Sequence, residues 1–276
     1  RVREKITWQQ VLLQIGITVA ALFFLFPILI VINYSFKTKK ELYLSNPLAL
    51  PESLQLGNYE KAFKKLDMAS TYPNTIMYTV ISVVILALLC GVTAWAIARC
   101  SHRIFKFLYV YFIIGILLPY QALFLSIFIV GNRLNFVNTR HGIIFMYVAT
   151  GISFGIFLMN SFMSTVPVEL EEAAKIDGCS VFRTYFVIVM PLLKPAMATL
   201  VIMQAFQIWN DYLMANLYLS SKKLKTLTVA ILRAVIEPAS TAFSAAIDST
   251  PSICIVTHPQ MACRQAPSDH TKMAHK

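Results

Sequence analysis

Charge is scarce in this chain. Asp, Glu, Lys and Arg make up 13% of its 276 residues, about half the share of an ordinary soluble domain, which leaves too few ionised groups to cover a folded surface in water. Paired cysteine spacing is absent as well. Cys90, Cys100, Cys179, Cys254 and Cys263 stand apart and read as small apolar residues in or near helices, not as a disulfide framework. The chain has no Gly-x-x-x-x-Gly-Lys-Ser/Thr phosphate loop and no nucleophile elbow, so it lacks the usual residues for nucleotide hydrolysis or serine-type acyl transfer. It also lacks a basic stripe with interleaved aromatics. The net charge of +11 therefore points to loops facing anionic lipid headgroups and away from nucleic acid.

What the chain does have is apolar length. Hydrophobic residues make up 57% of it, and the mean hydropathy is +0.65. Residues 11–32, 74–98, 107–131 and 142–166 carry no charge, and residues 195–220 carry only Asp211. A membrane-spanning helix needs about 20 apolar residues, and in lipid the backbone must satisfy its own hydrogen bonds, so each run predicts a spanning helix. The first run follows Arg1, Arg3 and Lys5 but is too long for a signal-peptide core, and no small-x-small cleavage site follows it. It reads as a retained helix. The expected fold is all-α: a polytopic transmembrane bundle with five spans.

Lys and Arg concentrate in short cytoplasmic loops. Arg1, Arg3 and Lys5, then Arg99, Arg103 and Lys106, then Lys175, Arg183 and Lys194 fall in intervals separated by pairs of spans. They belong on one side, which reads as the cytoplasm, with the N-terminus there. Residues 33–73, the loop with Arg133 and Arg140, and the loop after Ser220 fall on the other side. Lys222, Lys223 and Lys225 in that last loop oppose this orientation. Within 33–73, Asn46-Pro47 and Leu50-Pro51 read as turns, and the stretch from Asn58 to Phe63 reads as a short helix with a solvated face.

Residues 166–195 are too polar to span and too patterned for a plain linker. Pro167 suits a first helical position. Glu169, Glu171 and Glu172 suit a positive helix N-terminus, and Lys175 the opposite end. Gly178 supplies a left-handed stop, and Ser180 a cap for a second helix. Leu170, Ala173, Ala174 and Asp177 share one thin side at helical spacing, which suits a groove on a partner protein or a helix lying on lipid.

The loop also carries a longer pattern. Glu172-Ala173-Ala174, three residues, Gly178, nine residues, then Ile188-Val189-Met190-Pro191 resembles the E-A-A-x-x-x-G … I-x-L-P loop of ABC importer permeases. Met190 stands where that family prefers Leu, a volume-conserving change. The chain is similar to the carbohydrate-uptake branch, and within it to the smaller, maltose-type permease subunits. Supporting segments are Phe26-Pro27, Tyr34-Ser35-Phe36-Lys37, Asn58-Tyr59, Asn74-Thr75, Ala94-Trp95-Ala96-Ile97-Ala98-Arg99, Leu118-Pro119-Tyr120-Gln121, Gly151-Ile152-Ser153-Phe154-Gly155 and Trp209-Asn210-Asp211-Tyr212-Leu213.

The resemblance implies a non-enzymatic subunit of the bacterial cytoplasmic membrane that moves a sugar or oligosaccharide by alternating access. It also implies a second permease subunit, two cytoplasmic ABC ATPase subunits and an extracytoplasmic sugar-binding protein as partners. ATP and Mg would then be held by the ATPases, with no cofactor in this chain. Glu172, Ala173, Ala174, Asp177 and Gly178, with Ile188 and Pro191, would form the ATPase-coupling loop. A non-sugar solute, a secondary transporter and a non-transporting membrane subunit are the alternatives.

Polar residues inside the apolar runs are candidates for the translocation path. Pro119 predicts a kink in the third span, for gating or for packing. Gln121, Gln204, Gln207, Asn210 and Asp211 face either a path or neighbouring helices. The composition changes at Asp248. Residues 1–248 read as the permease domain. Residues 249–276 read as an atypical tail in which Pro251 and Pro259 break a sixth span expected from about Phe243, as a frame-shifted C-terminus would. Cys254, His258, Cys263 and His270 match no common zinc spacing.

Overall fold

The computed structural model describes residues 8–44, 46 and 48–236, with the backbone alone at Tyr120. The chain divides after Ala234 into two compact units, and of the second only Val235 and Ile236 are among the described residues. The expected sixth span, the tail and its cysteines and histidines lie outside the described residues.

Every element among the described residues is helical. α1 (Trp8–Ser35) contains Pro27 and buries none of its residues, so its apolar surface faces the surroundings on all sides. α2 (Lys39–Leu44) starts from a reciprocal cap: the Thr38 N–H and hydroxyl donate to Glu41 Oε2 at 2.6 and 2.7 Å, and the Glu41 N–H donates to Thr38 Oγ1 at 3.2 Å. α3 (Gly57–Lys65) covers the stretch expected to be a short helix. It is tied to the end of α1 by Asn58 Nδ2, which donates to the carbonyls of Ser35 and Lys37 at 3.0 Å each.

α4 (Met68–Arg99) is the centre of the unit. It packs along α7 (Arg140–Met163), and the two bury Leu86, Cys90, Ile143, Ile156 and Met159 completely. Between them in sequence, the run 107–131, expected as a span kinked at Pro119, is divided into α5 (Arg103–Leu117) and α6 (Tyr120–Arg133). They meet at 112°. Pro119 drives the preceding Leu118 into an extended conformation (φ −81°, ψ 120°), and Pro119 is itself extended (φ −65°, ψ 114°). Two consecutive non-helical residues end one helix and begin another.

After α7 come α8 (Glu169–Ile176), α9 (Val181–Leu192) and α10 (Lys194–Asn210). α9 widens to a π-type turn over Thr184–Val189 and meets α10 at 74°, where Pro191 and Pro195 deny the backbone two amide donors. The run 195–220 is not one helix: Asp211 is extended (φ −68°, ψ 126°), and α11 (Leu213–Tyr218) follows. α12 (Leu227–Ile236) is the last described helix. Among the described residues three helices (α1, α4 and α7) are long and apolar enough to cross a membrane alone, and the pairs α5–α6 and α9–α10 qualify only together.

Hydrogen bonds sort the helix ends into two sets. At one end, Asn74 Nδ2 donates to the Lys223 carbonyl at 2.8 Å and the Tyr78 hydroxyl to the Leu224 carbonyl at 3.0 Å. There too the Leu227 N–H donates to Thr75 Oγ1 at 2.9 Å. The Tyr218 hydroxyl reaches the Ile127 carbonyl at 2.8 Å, and Asn138 Oδ1 accepts from the Ser221 N–H at 2.9 Å. At the other end, Arg99 and Trp95 meet the segment that carries α8. α6 therefore finishes at the Asn74 end, while α5 starts shortly after the α4 terminus at Arg99. Each bent pair covers the distance between the two ends.

Candidate coupling loop and transport cavity

The 166–195 loop is a short helix, a glycine turn and a second helix, as its sequence predicts. α8 begins at Glu169, so Pro167 does not occupy the first helical position. It sits before a turn in which the Val168 carbonyl accepts from the N–H groups of Glu171 and Glu172. At the far end, the Cys179 N–H donates to the Ala174 carbonyl and the Gly178 N–H to the Lys175 carbonyl. Gly178 has φ +78°. These paired bonds around a left-handed residue close the helix, and any side chain at 178 would strain that conformation. Ser180 accepts from the Arg183 N–H at 3.4 Å and starts α9.

The faces of α8 differ from the sequence expectation. Ala173 and Ala174 do not share a side: Ala174 is buried and Ala173 exposed, with Leu170 exposed as well. Consecutive residues stand about 100° apart on a helix, and here the boundary between inside and outside falls between them. The inward face is Glu171 and Ala174. The outward face carries Glu172, Ala173 and Ile176 and leads to exposed Asp177 and Gly178. Ile176 is 87% exposed, and beyond the turn Val181 and Phe182 are exposed too. Ile188 is half-buried in the widened turn of α9, and Pro191 is exposed at the bend.

Glu171, which the pattern passes over in favour of Glu172, anchors the loop. Its Oε1 accepts from Arg99 Nε at 2.7 Å and its Oε2 from Trp95 Nε1 at 3.0 Å. Arg99 Nη2 also donates to the Val166 carbonyl at 2.8 Å. The side chains are 6% and 18% exposed for Glu171 and Arg99, so the pair is screened from water and each charge needs the other. A second contact runs alongside. Tyr185, buried on α9, packs its ring 5.2 Å from that of Trp95, and its hydroxyl fills the space that a side chain at Gly91 would take. The loop is thus fixed to α4 by an ion pair on one side and an aromatic contact on the other.

The second site is a cavity of about 580 Å3 near the end of α10, walled by Tyr147, Thr150, Gln204, Gln207, Asn210, Asp211 and Tyr212 among others. That volume falls within the range of small-molecule sites, about 300–1,000 Å3. Of the residues expected on the path, Gln207, Asn210 and Asp211 lie here. Pro119 and Gln121 are not gathered with them and stand exposed at the α5–α6 break. Asp211 is bonded into the backbone of the wall. Its Oδ2 accepts from the Ala215 N–H at 2.9 Å and from the Tyr147 hydroxyl at 3.0 Å, and its Oδ1 from the Met214 N–H at 3.4 Å. It caps α11 and holds Tyr147 in place. Gln204 is buried while Gln207 and Asn210 are exposed. Among the described residues no cluster of His, Cys, Asp and Glu could hold a metal ion.

The family model described as "Binding-protein-dependent transport system inner membrane component" matches residues 84–257, which takes in α7, the whole loop and the cavity wall. This chain belongs to that family. It is 37% identical over 228 residues, 83% of this chain and 82% of the other, to the probable starch degradation products transport system permease protein of Thermoanaerobacterium thermosulfurigenes. It is 32% identical over 222 residues, 79% and 78% of the two chains, to the multiple sugar-binding transport system permease protein of Streptococcus mutans. A solved bacterial ABC transporter involved in import of the acidic polysaccharide alginate has a chain with the same fold, with a TM-score of 0.72 and 24% identity over 85% of this chain and 84% of that one.

The permease is therefore a membrane-embedded transport subunit, and its loop lies inside the family match. The sequence did hold a signal for the anchor. Trp95 and Arg99 are four residues apart, hence on one face of α4, and Arg99 is the only charge from Asn74 to that point. A lone cation at the end of an apolar helix calls for an anion, but Glu169, Glu171 and Glu172 are equally acidic, and only the pitch of α8 selects among them.

Proposed function

We propose that this permease is one of two transmembrane subunits of an ATP-driven importer of a sugar or oligosaccharide, with the outward face of α8 as the surface on which a cytoplasmic ATPase subunit docks. The observation that carries the reading is the division of α8: Glu171 and Ala174 are bound into the permease, while Glu172, Ala173, Ile176, Asp177 and Gly178 project from it. A helix held on one side by α4 and open on the other is a rigid handle. Movement of a docked ATPase would pass through Glu171, Arg99 and Trp95 into α4, and through Tyr185, Ile188 and Pro191 into α9 and α10.

The end of the spans that carries α8 is then cytoplasmic, as the positive charges suggest, and the N-terminus lies on that side. ATP and Mg belong to the ATPase subunits, and the permease holds no cofactor of its own. An extracytoplasmic binding protein delivers the solute at the Asn74 end. Gln204, Gln207 and Asn210 line the solute's way through the membrane, with Asp211 shaping the wall. The names of the sequence relatives support sugar as the solute class, and amide groups beside Tyr147 and Tyr212 suit hydroxyl-rich, ring-shaped ligands.

The test replaces Gly178 with Leu, or Glu172 with Lys, and measures sugar uptake together with ATPase retained on membranes. Both are expected to fall by about tenfold or more, the equivalent of roughly 1.4 kcal/mol of docking free energy. Unchanged uptake with unchanged retention would overturn the docking role.

A further inference from the structure

A second cavity, of about 490 Å3, opens at the end of the spans that carries α8. Its walls are Ile97, Ala98 and Arg99 of α4, Lys106, Tyr109 and Val110 of α5, and Asn160 and Ser164 at the end of α7. α4 has 32 residues, a length of about 48 Å at roughly 1.5 Å per residue, against a hydrocarbon core of about 30 Å. Charge returns to α4 only at Arg99, after the uncharged run 74–98, so a span that ends at that charge would set the cavity at the headgroup layer.

The charge of the cavity has one sign. Arg99 and Lys106 are its ionised walls, and the chain has no Asp or Glu from Met68 to Val168. The nearest acid, Glu171, has both oxygens occupied by Arg99 and Trp95. Lys106 makes no ion pair or hydrogen bond among the described residues. Asn160 carries a buried Oδ1 with no donor. The flank of α5 that leads away from the cavity is apolar and exposed at Phe107, Val110, Tyr111 and Ile114.

We infer that this cavity binds the headgroup of an anionic phospholipid. The lipid phosphate sits between Lys106 and the outer edge of the Arg99 guanidinium, and the acyl chains run along the exposed face of α5. A pocket of cations between spans at the membrane surface is the usual setting for such recognition. The apolar lane beside it favours a lipid over free phosphate, which has nothing to place there. Because Arg99 also grips Glu171, an occupied headgroup site would sit against the anchor of α8 and stiffen it. The inference needs only that this end lies at a membrane surface, so it stands or falls apart from the transport reading.

The test uses the full-length permease, purified with its partners in mild detergent, and counts bound lipid by native mass spectrometry during titration with phosphatidylglycerol or phosphatidylcholine. Phosphatidylglycerol is expected to bind and phosphatidylcholine to bind weakly. Lys106→Gln is expected to weaken phosphatidylglycerol roughly fivefold, the effect of about one basic residue at a lipid surface, while Lys106→Arg keeps it. Lys106 is exposed, and an unchanged melting profile verifies folding. Equal binding of the two headgroups, no loss in Lys106→Gln, or full displacement by an equal concentration of inorganic phosphate would each overturn the inference.

Discussion

The two ends of α4 are held in different ways. At the Asn74 end, Asn74, Thr75 and Tyr78 make neutral hydrogen bonds to the backbone of residues 223–227. At the Arg99 end, two side chains, Arg99 and Trp95, make every described hydrogen bond from α4 to the 166–195 loop, and both converge on the Glu171 carboxylate, with the Trp95–Tyr185 ring contact beside them. Several neutral bonds, each worth about 1 kcal/mol net, form a seam that tolerates the loss of any one. A screened ion pair is all-or-none, because removing one member leaves the other charge uncompensated. The distributed seam suits a fixed end, and the concentrated one suits a joint that must act as a unit.

The largest expected effect breaks that joint. Glu171→Ala should destabilise the loop by about 3–5 kcal/mol, the cost of orphaning a buried charge, read as earlier thermal unfolding and faster proteolysis between residues 166 and 180. A double replacement, Arg99→Met with Glu171→Leu, should cost less than either single change if the pair acts as a unit; equal or additive losses would count against it. At the other end, Asn74→Ala should cost about 1–3 kcal/mol, because one side chain serves two carbonyls. Tyr78→Phe should cost about 1 kcal/mol, and both are measurable in the same melt.

The smallest effect concerns Glu41, outside the spans. The N–H and hydroxyl of Thr38 and the N–H of Glu52 hold its carboxyl below the ordinary value of 4.5. Its folded-state value is depressed, so its contribution is present above pH 4.5 and fades as the pH falls through the lower, folded-state value. Protection of the Thr38 and Glu52 amides, taken relative to intrinsic exchange at the same pH, should fall there in wild type and already be low at neutral pH in Glu41→Gln, while α4 and α7 stay protected.

Much of the fold is legible because the bilayer leaves few choices. Uncharged runs 11–32, 74–98 and 142–166 become α1, α4 and α7, since a backbone in lipid must bond to itself. Pro119 marks a break, but a single proline does not reveal its angle. Extended geometry at both Leu118 and Pro119 turns an expected kink into a 112° bend. In the loop, Gly178 and Ser180 are readable because a left-handed stop and an N-cap are local chemistry. The run 195–220 reads as one helix because Asp211 looks like a polar residue inside a span, and only its bonds to Met214 and Ala215 show it opening a second helix.

Sequence alone determined that this is a polytopic helical membrane subunit with a helix–glycine–helix loop between its fourth and fifth apolar runs. Hydropathy, proline and glycine act over a few residues and need no partner to be understood. Tertiary structure alone decided which of two adjacent glutamates is bound inward and which is offered outward, which polar residues share a cavity, and which basic residues share a pocket at the membrane surface. Those outcomes depend on the rotation of each helix about its axis. That angle is set by packing against residues far away in the chain, such as Trp95 and Arg99 for Glu171, and no local pattern encodes it.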